Sequence, residues 1–268
     1  MKASLKLTAR PMAGFTLIEL LVVIAIIAVL AGLLIPAVGA ARTKAQIART
    51  RVEINGLVAA INQYKQDYGV WPVPKQAQEI AADNFGHYTF GRNQGNEWHY
   101  STPLPAVREA YLMDNRGVVA ILMARDIEPN LGNARNPRKI KYLDVKDAKD
   151  NTSSGIGPDG VYRDPFGNPY IMSFDLDYDG TLADTVYRRD TVSGMGATSV
   201  PGYLGHVFND SRNWYEAKQS VMVWSVGPDG GALPVNPADN RPVRPAGTPA
   251  DVPGARLDPN KDNILSWQ

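Results

Sequence analysis

The segment Asp175-Leu176-Asp177-Tyr178-Asp179-Gly180 sets carboxylates at alternate positions with a glycine behind them. An EF-hand loop opens with this spacing, its glycine making the sharp turn, and calcium takes about six to eight oxygen ligands. The glutamate that closes such a loop is absent. Val186 stands in its place, and Asp184 is out of register. Two readings stay open. The three aspartates hold calcium, or they are a solvated strand end, where like charges on one face repel.

Other chemistry is sparse. The chain has no cysteine, which excludes disulfides, thiolate metal sites and cysteine catalysis. His87, His99 and His206 are scattered, with no close pair to suggest zinc. Gly155-Ile156-Gly157-Pro158-Asp159-Gly160 matches the letters of a dinucleotide loop. It follows no clear strand, and Pro158 and the turn after it spoil a helix start. No GxSxG, P-loop or HExxH motif occurs. Phe85, Tyr88, Phe90, Trp98 and Tyr100 cluster in sequence, either as a ligand surface or as packing. An enzyme is therefore the least supported class. With 28 basic and 27 acidic residues, the net charge of +1 makes no electrostatic case for nucleic acid.

The element that dominates the chain comes first. Residues 1–14 are short and basic, with Lys2, Lys6 and Arg10 their only charges. From Phe15 to Ala41 the run is strongly apolar and carries one charge, Glu19. As a helix it spans about 40 Å, enough to cross a bilayer with some tilt. A plain signal anchor and a secretory signal cut near Ala41 are the ordinary alternatives. Glu19 argues against both, because a carboxylate in a membrane calls for a partner. Pro36 removes a backbone hydrogen bond and favours a kink or local melting, or is a tolerated proline near a helix end. Basic residues lie on both sides of the run, since Arg42, Lys44, Arg49 and Arg51 follow it, so charge alone leaves the orientation open.

Gly14-Phe15-Thr16-Leu17-Ile18-Glu19-Leu20 resembles the type IV prepilin motif of pilins and of type II secretion pseudopilins. The resemblance implies that prepilin peptidase cuts after Gly14 and methylates the new terminus at Phe15. It implies that Glu19 pairs with the α-amino group of a neighbouring subunit. It implies a melted stretch before Pro36, helped by Gly32, and it puts residues 1–14 in the cytoplasm. The expected organisation is a leader (1–14), a transmembrane segment (15–41), an amphipathic stalk (42–68) and a periplasmic head (69–268).

Beyond Arg42, the residues Ile47, Ile54, Leu57, Val58, Ile61, Tyr64 and Tyr68 recur at helical spacing. They predict one long helix from about 16 to 67, stopped at Gly69 and the prolines after it. Residues 73–115 read as an extended loop. A short buried helix is expected at 118–124, capped by Asp114-Asn115. A loop and short strand are expected at 137–143, and strands near 169–174, 185–189 and 220–226. The fold class is α+β: a long N-terminal helix packed on a small antiparallel β-sheet head with long loops.

A second resemblance lies in the head. Asp164-Pro165-Phe166-Gly167-Asn168-Pro169-Tyr170 is similar to a segment of the major pseudopilin of type II secretion. Trp224 to Gly230 and Asp262 to Trp267 resemble its calcium loop and closing segment. That implies calcium at Asp229 and Asp262, with Ser225 nearby; a plain Gly-Pro-Asp-Gly turn is the alternative. The leading expectation is a pseudopilin, held in the bacterial inner membrane by one helix and assembled with its own copies, minor pseudopilins and a membrane assembly platform. A type IV pilus subunit and a membrane-tethered binding module are the alternatives.

Overall fold

Fifty-two residues, Leu17–Tyr68, form one helix, α1. The computed structural model describes residues 16–82, 85–91, 114–188, 193, 205–228 and 264–267, and of 36 and 37 the backbone alone. The chain divides into two units, Met1–Ala45 and Gln46–Gln268.

In the first unit α1 is long and apolar enough to cross a membrane, and it continues through Pro36. Its apolar side chains find no core. Leu17 and Ile35, near the two ends of the apolar run, are 79% and 72% exposed.

In the second unit the same helix becomes one-sided. Ile54, Leu57, Ile61 and Tyr64 are buried, with Ile47, Val58 and Tyr68 partly so, which is the face the spacing predicts. The helix stops where expected. Gly69 takes φ +72°, which glycine adopts without steric cost, and its N–H caps the Lys65 carbonyl at 2.7 Å.

Residues 73–115 are not one extended loop. They contain α2 (Lys75–Ala82) and β1 (His87–Phe90). The buried residues of α2 are Ala77 and Ala81, too small to stand out as an apolar face. Next comes α3 (Arg116–Leu122), the expected short helix. Of the two residues expected to cap it, Asp114 does so and Asn115 does not. Asp114 Oδ1 accepts the Arg116 N–H at 3.0 Å, while Asn115 makes no side-chain cap. The Asn115 amide is used elsewhere. It donates to the carbonyls of Tyr162 and Tyr170 and accepts the Tyr162 N–H, each at 2.8 Å.

The remaining strands are β2 (Gly155–Ile156), β3 (Tyr162–Arg163), β4 (Ile171–Asp175), β5 (Val207–Asn209), β6 (Trp214–Glu216), β7 (Val221–Ser225) and β8 (Ile264–Leu265). The main sheet is antiparallel in the order β1-β4-β7-β8, with Phe174 opposite Tyr88 and Val221. Two small hairpin sheets pair β2 with β3 and β5 with β6. Successive side chains of β4 and β7 serve opposite faces. Met172, Phe174 and Val223 join the core with α1 and α3. Ile171 and Trp224 pack with Val186, Tyr187 and Leu265.

Two expected strands are absent. Residues 185–188 are a turn, because Asp184 Oδ1 accepts the N–H groups of Val186 (2.8 Å) and Tyr187 (3.1 Å). Residues 139–143 are irregular. Asn136 holds Ile140 at both its N–H and its carbonyl.

Candidate functional site

The chain presents two sites, one at the start of α1 and one in the head. Gly14 and Phe15 lie outside the described residues. The first helical turn beside them is a capping box. Thr16 donates to Glu19 Oε2 through its N–H and its hydroxyl, each at 2.8 Å, and Thr16 Oγ1 accepts the Glu19 N–H at 3.2 Å. Thr16 is a partner that the reading of Glu19 alone missed, although the Thr-x-x-Glu spacing is legible in the sequence. Glu19 thus sits, exposed, at the positive end of the helix. Pro36, the other residue expected to act in assembly, lies within α1.

In the head, Asp175, Asp177 and Asp179 come together, with carboxylate oxygens all within 4.8 Å of one another. Asp175 ends β4 and is buried; Asp177 and Asp179 are exposed on the turn that follows. Asp175 accepts the N–H of Tyr178 at 2.7 Å and of Gly180 at 3.0 Å. Its burial and the adjoining Asp177 carboxyl push Asp175 up to about 6, against the lowering effect of those two N–H groups. Asp179 Oδ1 accepts both the N–H and the hydroxyl of Thr181 at 2.7 Å.

The surroundings hold this turn tightly. Asp177 packs against Gly86, where a Cβ would fall 2.1 Å from its carboxyl carbon. Gly86 also has φ +81°, so both space and backbone require glycine. Trp71 Nε1 donates to the Asp175 carbonyl at 2.5 Å. The Lys65 ammonium lies 3.7 Å from the Trp71 ring centre and 5.1 Å from that of Tyr178. Arg212 is the nearby cation. Its Nη2 is 3.9 Å from Asp179, and its Nη1 lies 3.2 Å from both Glu216 and His87 Nε2. Burial pushes the His87 imidazole down. Neither Arg212 nor His87 was singled out for this site from sequence, because they lie far from the aspartates along the chain.

The donor set is all oxygen, which suits calcium. Both carboxylate oxygens of Asp175 and Oδ1 of Asp179 already accept hydrogen bonds, so the open coordination falls to Asp177 and to Asp179 Oδ2.

Of the other implied calcium residues, Asp229 and Asp262 lie outside the described residues. Ser225 ends β7. Its hydroxyl donates to Asp164 and accepts the Gly227 N–H at 3.0 Å. Asp164 in turn accepts the N–H groups of Phe166 at 2.9 Å and Asn168 at 2.8 Å, and Asn168 donates to the Gly227 carbonyl at 3.0 Å. Two of the three segments that resemble the major pseudopilin are therefore tied directly to each other. Burial pushes Asp164 up.

The Gly155–Gly160 run forms β2 and the turn to β3, which rules out a helix-start phosphate loop there. It borders a cleft of about 510 Å³ that also meets Arg116 and Arg125. Arg116 pairs with Asp114 at 2.5 Å and Arg125 pairs with Asp147, so neither makes a case for an anionic ligand.

The family model for the prokaryotic N-terminal methylation motif matches residues 10–35. The fimbrial protein EcpC of Eikenella corrodens is 41% identical over 75 residues, 28% of this chain and 49% of that protein. The type IV major pilin protein PilE of Neisseria gonorrhoeae is 34% identical over 71 residues, 26% of this chain and 42% of the pilin. The type II secretion system core protein G of Pseudomonas aeruginosa is 36% identical over 70 residues, 26% of this chain and 49% of that protein. The chain thus spans about half or less of the length of these relatives. No solved structure matches it significantly. The chain is pilin-like, with the prepilin methylation motif and a long N-terminal helix leading into small antiparallel sheets.

Proposed function

We propose that the chain is a structural subunit of a type II secretion pseudopilus: cut after Gly14, methylated at Phe15, held in the inner membrane with its head in the periplasm, and then built into a filament. The observation that carries this is the first half of α1. Its apolar side chains are exposed all round, behind a capping box that contains the only acid of the run. Such a surface needs apolar surroundings on every side. Lipid supplies them first, and the helices of other copies supply them after assembly. Glu19 then pairs with the α-amino group of a neighbour's Phe15, which offsets the cost of a buried carboxylate. The stretch before Pro36, where α1 is continuous in the single chain, would have to melt on assembly.

Prepilin peptidase, an inner-membrane assembly platform, minor pseudopilins and further copies are the partners this reading requires. The subunit catalyses nothing. The tie between Asp164 and Ser225 favours a secretion pseudopilus, because it joins two of the three segments that resemble the major pseudopilin. A type IV pilus subunit is the second reading, favoured by the pilin relatives over the same N-terminal quarter. Calcium at the Asp175–Asp177–Asp179 turn, or at Asp229 and Asp262, steadies the head.

Mass spectrometry of the mature protein tests the core of this reading. A start at methylated Phe15 is expected, and an intact Met1 or a cut near Ala41 would overturn it. Glu19→Ala is expected to enter the membrane normally and to abolish filaments. Normal filaments from that variant would refute the pairing.

A further inference from the structure

Between Glu19 and Glu53 the chain contains no acidic residue, and its first charges after the apolar run are Arg42 and Lys44. Both are exposed on α1. Among the described residues, neither has an ion pair or side-chain hydrogen bond. Arg49, the next cation, differs in this respect, since it pairs with Glu53 at 2.7 Å.

Position along the helix says what surrounds these two cations. Arg42 lies 23 residues beyond Glu19. That is about 35 Å of helix, where a hydrocarbon core is about 30 Å thick and the headgroup layers extend it to about 40–45 Å. With Glu19 at one edge of the core, Arg42 and Lys44 fall in the headgroup layer of the opposite leaflet. Direction round the helix says more. Residues two apart differ by about 200°, so Arg42 and Lys44 leave opposite sides of α1. A single protein surface meets one side of a helix, whereas a leaflet surrounds it. Their long stems can lie along the apolar run while the charged ends reach phosphate.

We infer that Arg42 and Lys44 form a collar that gathers anionic phospholipid headgroups round the C-terminal end of the membrane span. The inference rests on the membrane-spanning reading of α1. The collar holds the unassembled subunit at a fixed depth, and its lipid contacts must be given up when the helix leaves the bilayer for a filament. Each cation near an anionic surface strengthens that attraction about fivefold, and salt weakens it.

The absence of native cysteine allows a single reporter at Thr43→Cys in the full chain. The labelled protein goes into vesicles of phosphatidylcholine with phosphatidylglycerol, one lipid at a time carrying a headgroup acceptor dye. Energy transfer is expected to show phosphatidylglycerol enriched over phosphatidylcholine beside the label. Added salt, or the Arg42→Gln/Lys44→Gln pair, is expected to remove the enrichment. Flotation with the vesicles is followed in parallel and is expected for every variant, since the apolar run drives insertion. Undiminished enrichment in the double variant would overturn the collar. So would wild-type enrichment in that variant together with lost filament assembly, which would assign the cations to neighbouring subunits. Failure of the wild type to float would instead overturn the membrane reading beneath it.

Discussion

α1 is one helix in two surroundings. In its first half Leu20, Ile27 and Leu30 are 58%, 58% and 53% exposed; in its second half Leu57 and Ile61 are at 0%. Residue type does not make the difference, since both halves use leucine and isoleucine. Spacing does. Where every position is apolar no face is singled out, and the helix must be enclosed by its solvent. Where apolar residues recur every three or four positions, one side docks and the other stays wet. On the proposed reading the first half is made for lipid and for copies of itself, whereas the second docks on its own head.

Matched truncations test that comparison most severely. Ile61→Ala removes a fully buried side chain and is expected to destabilise the head by about 2–5 kcal/mol. Leu30→Ala is expected to leave head stability within about 0.5 kcal/mol. Denaturant unfolding in detergent, followed by tryptophan fluorescence, reads the head alone, because no tryptophan precedes Trp71. Equal losses from the two variants would end the distinction.

A smaller effect is expected where the head is held by polar groups instead of apolar ones. Asn115→Ala removes the side-chain partner of the Tyr170 carbonyl and of the Tyr162 N–H, while the Tyr162 carbonyl keeps the Tyr170 N–H at 3.1 Å. The expected cost is about 1–3 kcal/mol in the same assay, and a neutral substitution would show that water replaces the amide.

Asn115 also shows how far the sequence could be read. The face of α1, its stop at Gly69, the short helix at 118–124 and the strands near 171–175 and 221–225 were legible, because spacing and turn residues act locally. The use of Asn115 was not, since its partners lie some fifty residues away and an Asn before a helix reads as a cap. The same limit hid α2, whose inward face is only alanine, and β1, whose His87, Tyr88 and Phe90 are buried without alternation. It also turned 185–188 into an expected strand, because nothing in Thr-Val-Tyr-Arg reveals that Asp184 takes their N–H groups. The aspartate turn was readable from its spacing, whereas Arg212 and His87 beside it are brought there by the tertiary fold.

The aspartate turn adds a pH-dependent test within the head. The folded Asp175–Asp177 pair binds a proton more tightly than the unfolded chain, since Asp175 is raised from 3.8 to about 6. The folded state therefore holds more protons between those values, and the pair's contribution is present below about pH 4 and lost as pH rises through about 6. His87 acts in the opposite sense. Burial lowers its pKa, so its protonation on acidification favours the unfolded chain. Asp177→Asn removes the pair and should flatten its part of the profile, so the difference between variant and parent melting temperatures isolates it. Without calcium the variant is expected to gain on the parent at about pH 7 and to lose that gain near pH 5. With calcium the parent should gain at about pH 7, where Asp175 is charged, and gain less near pH 5 as Asp175 takes up its proton. EDTA should reverse the gain. A melting temperature indifferent to calcium and EDTA at both pH values would leave the turn as a proton-binding carboxylate pair held by backbone N–H groups alone.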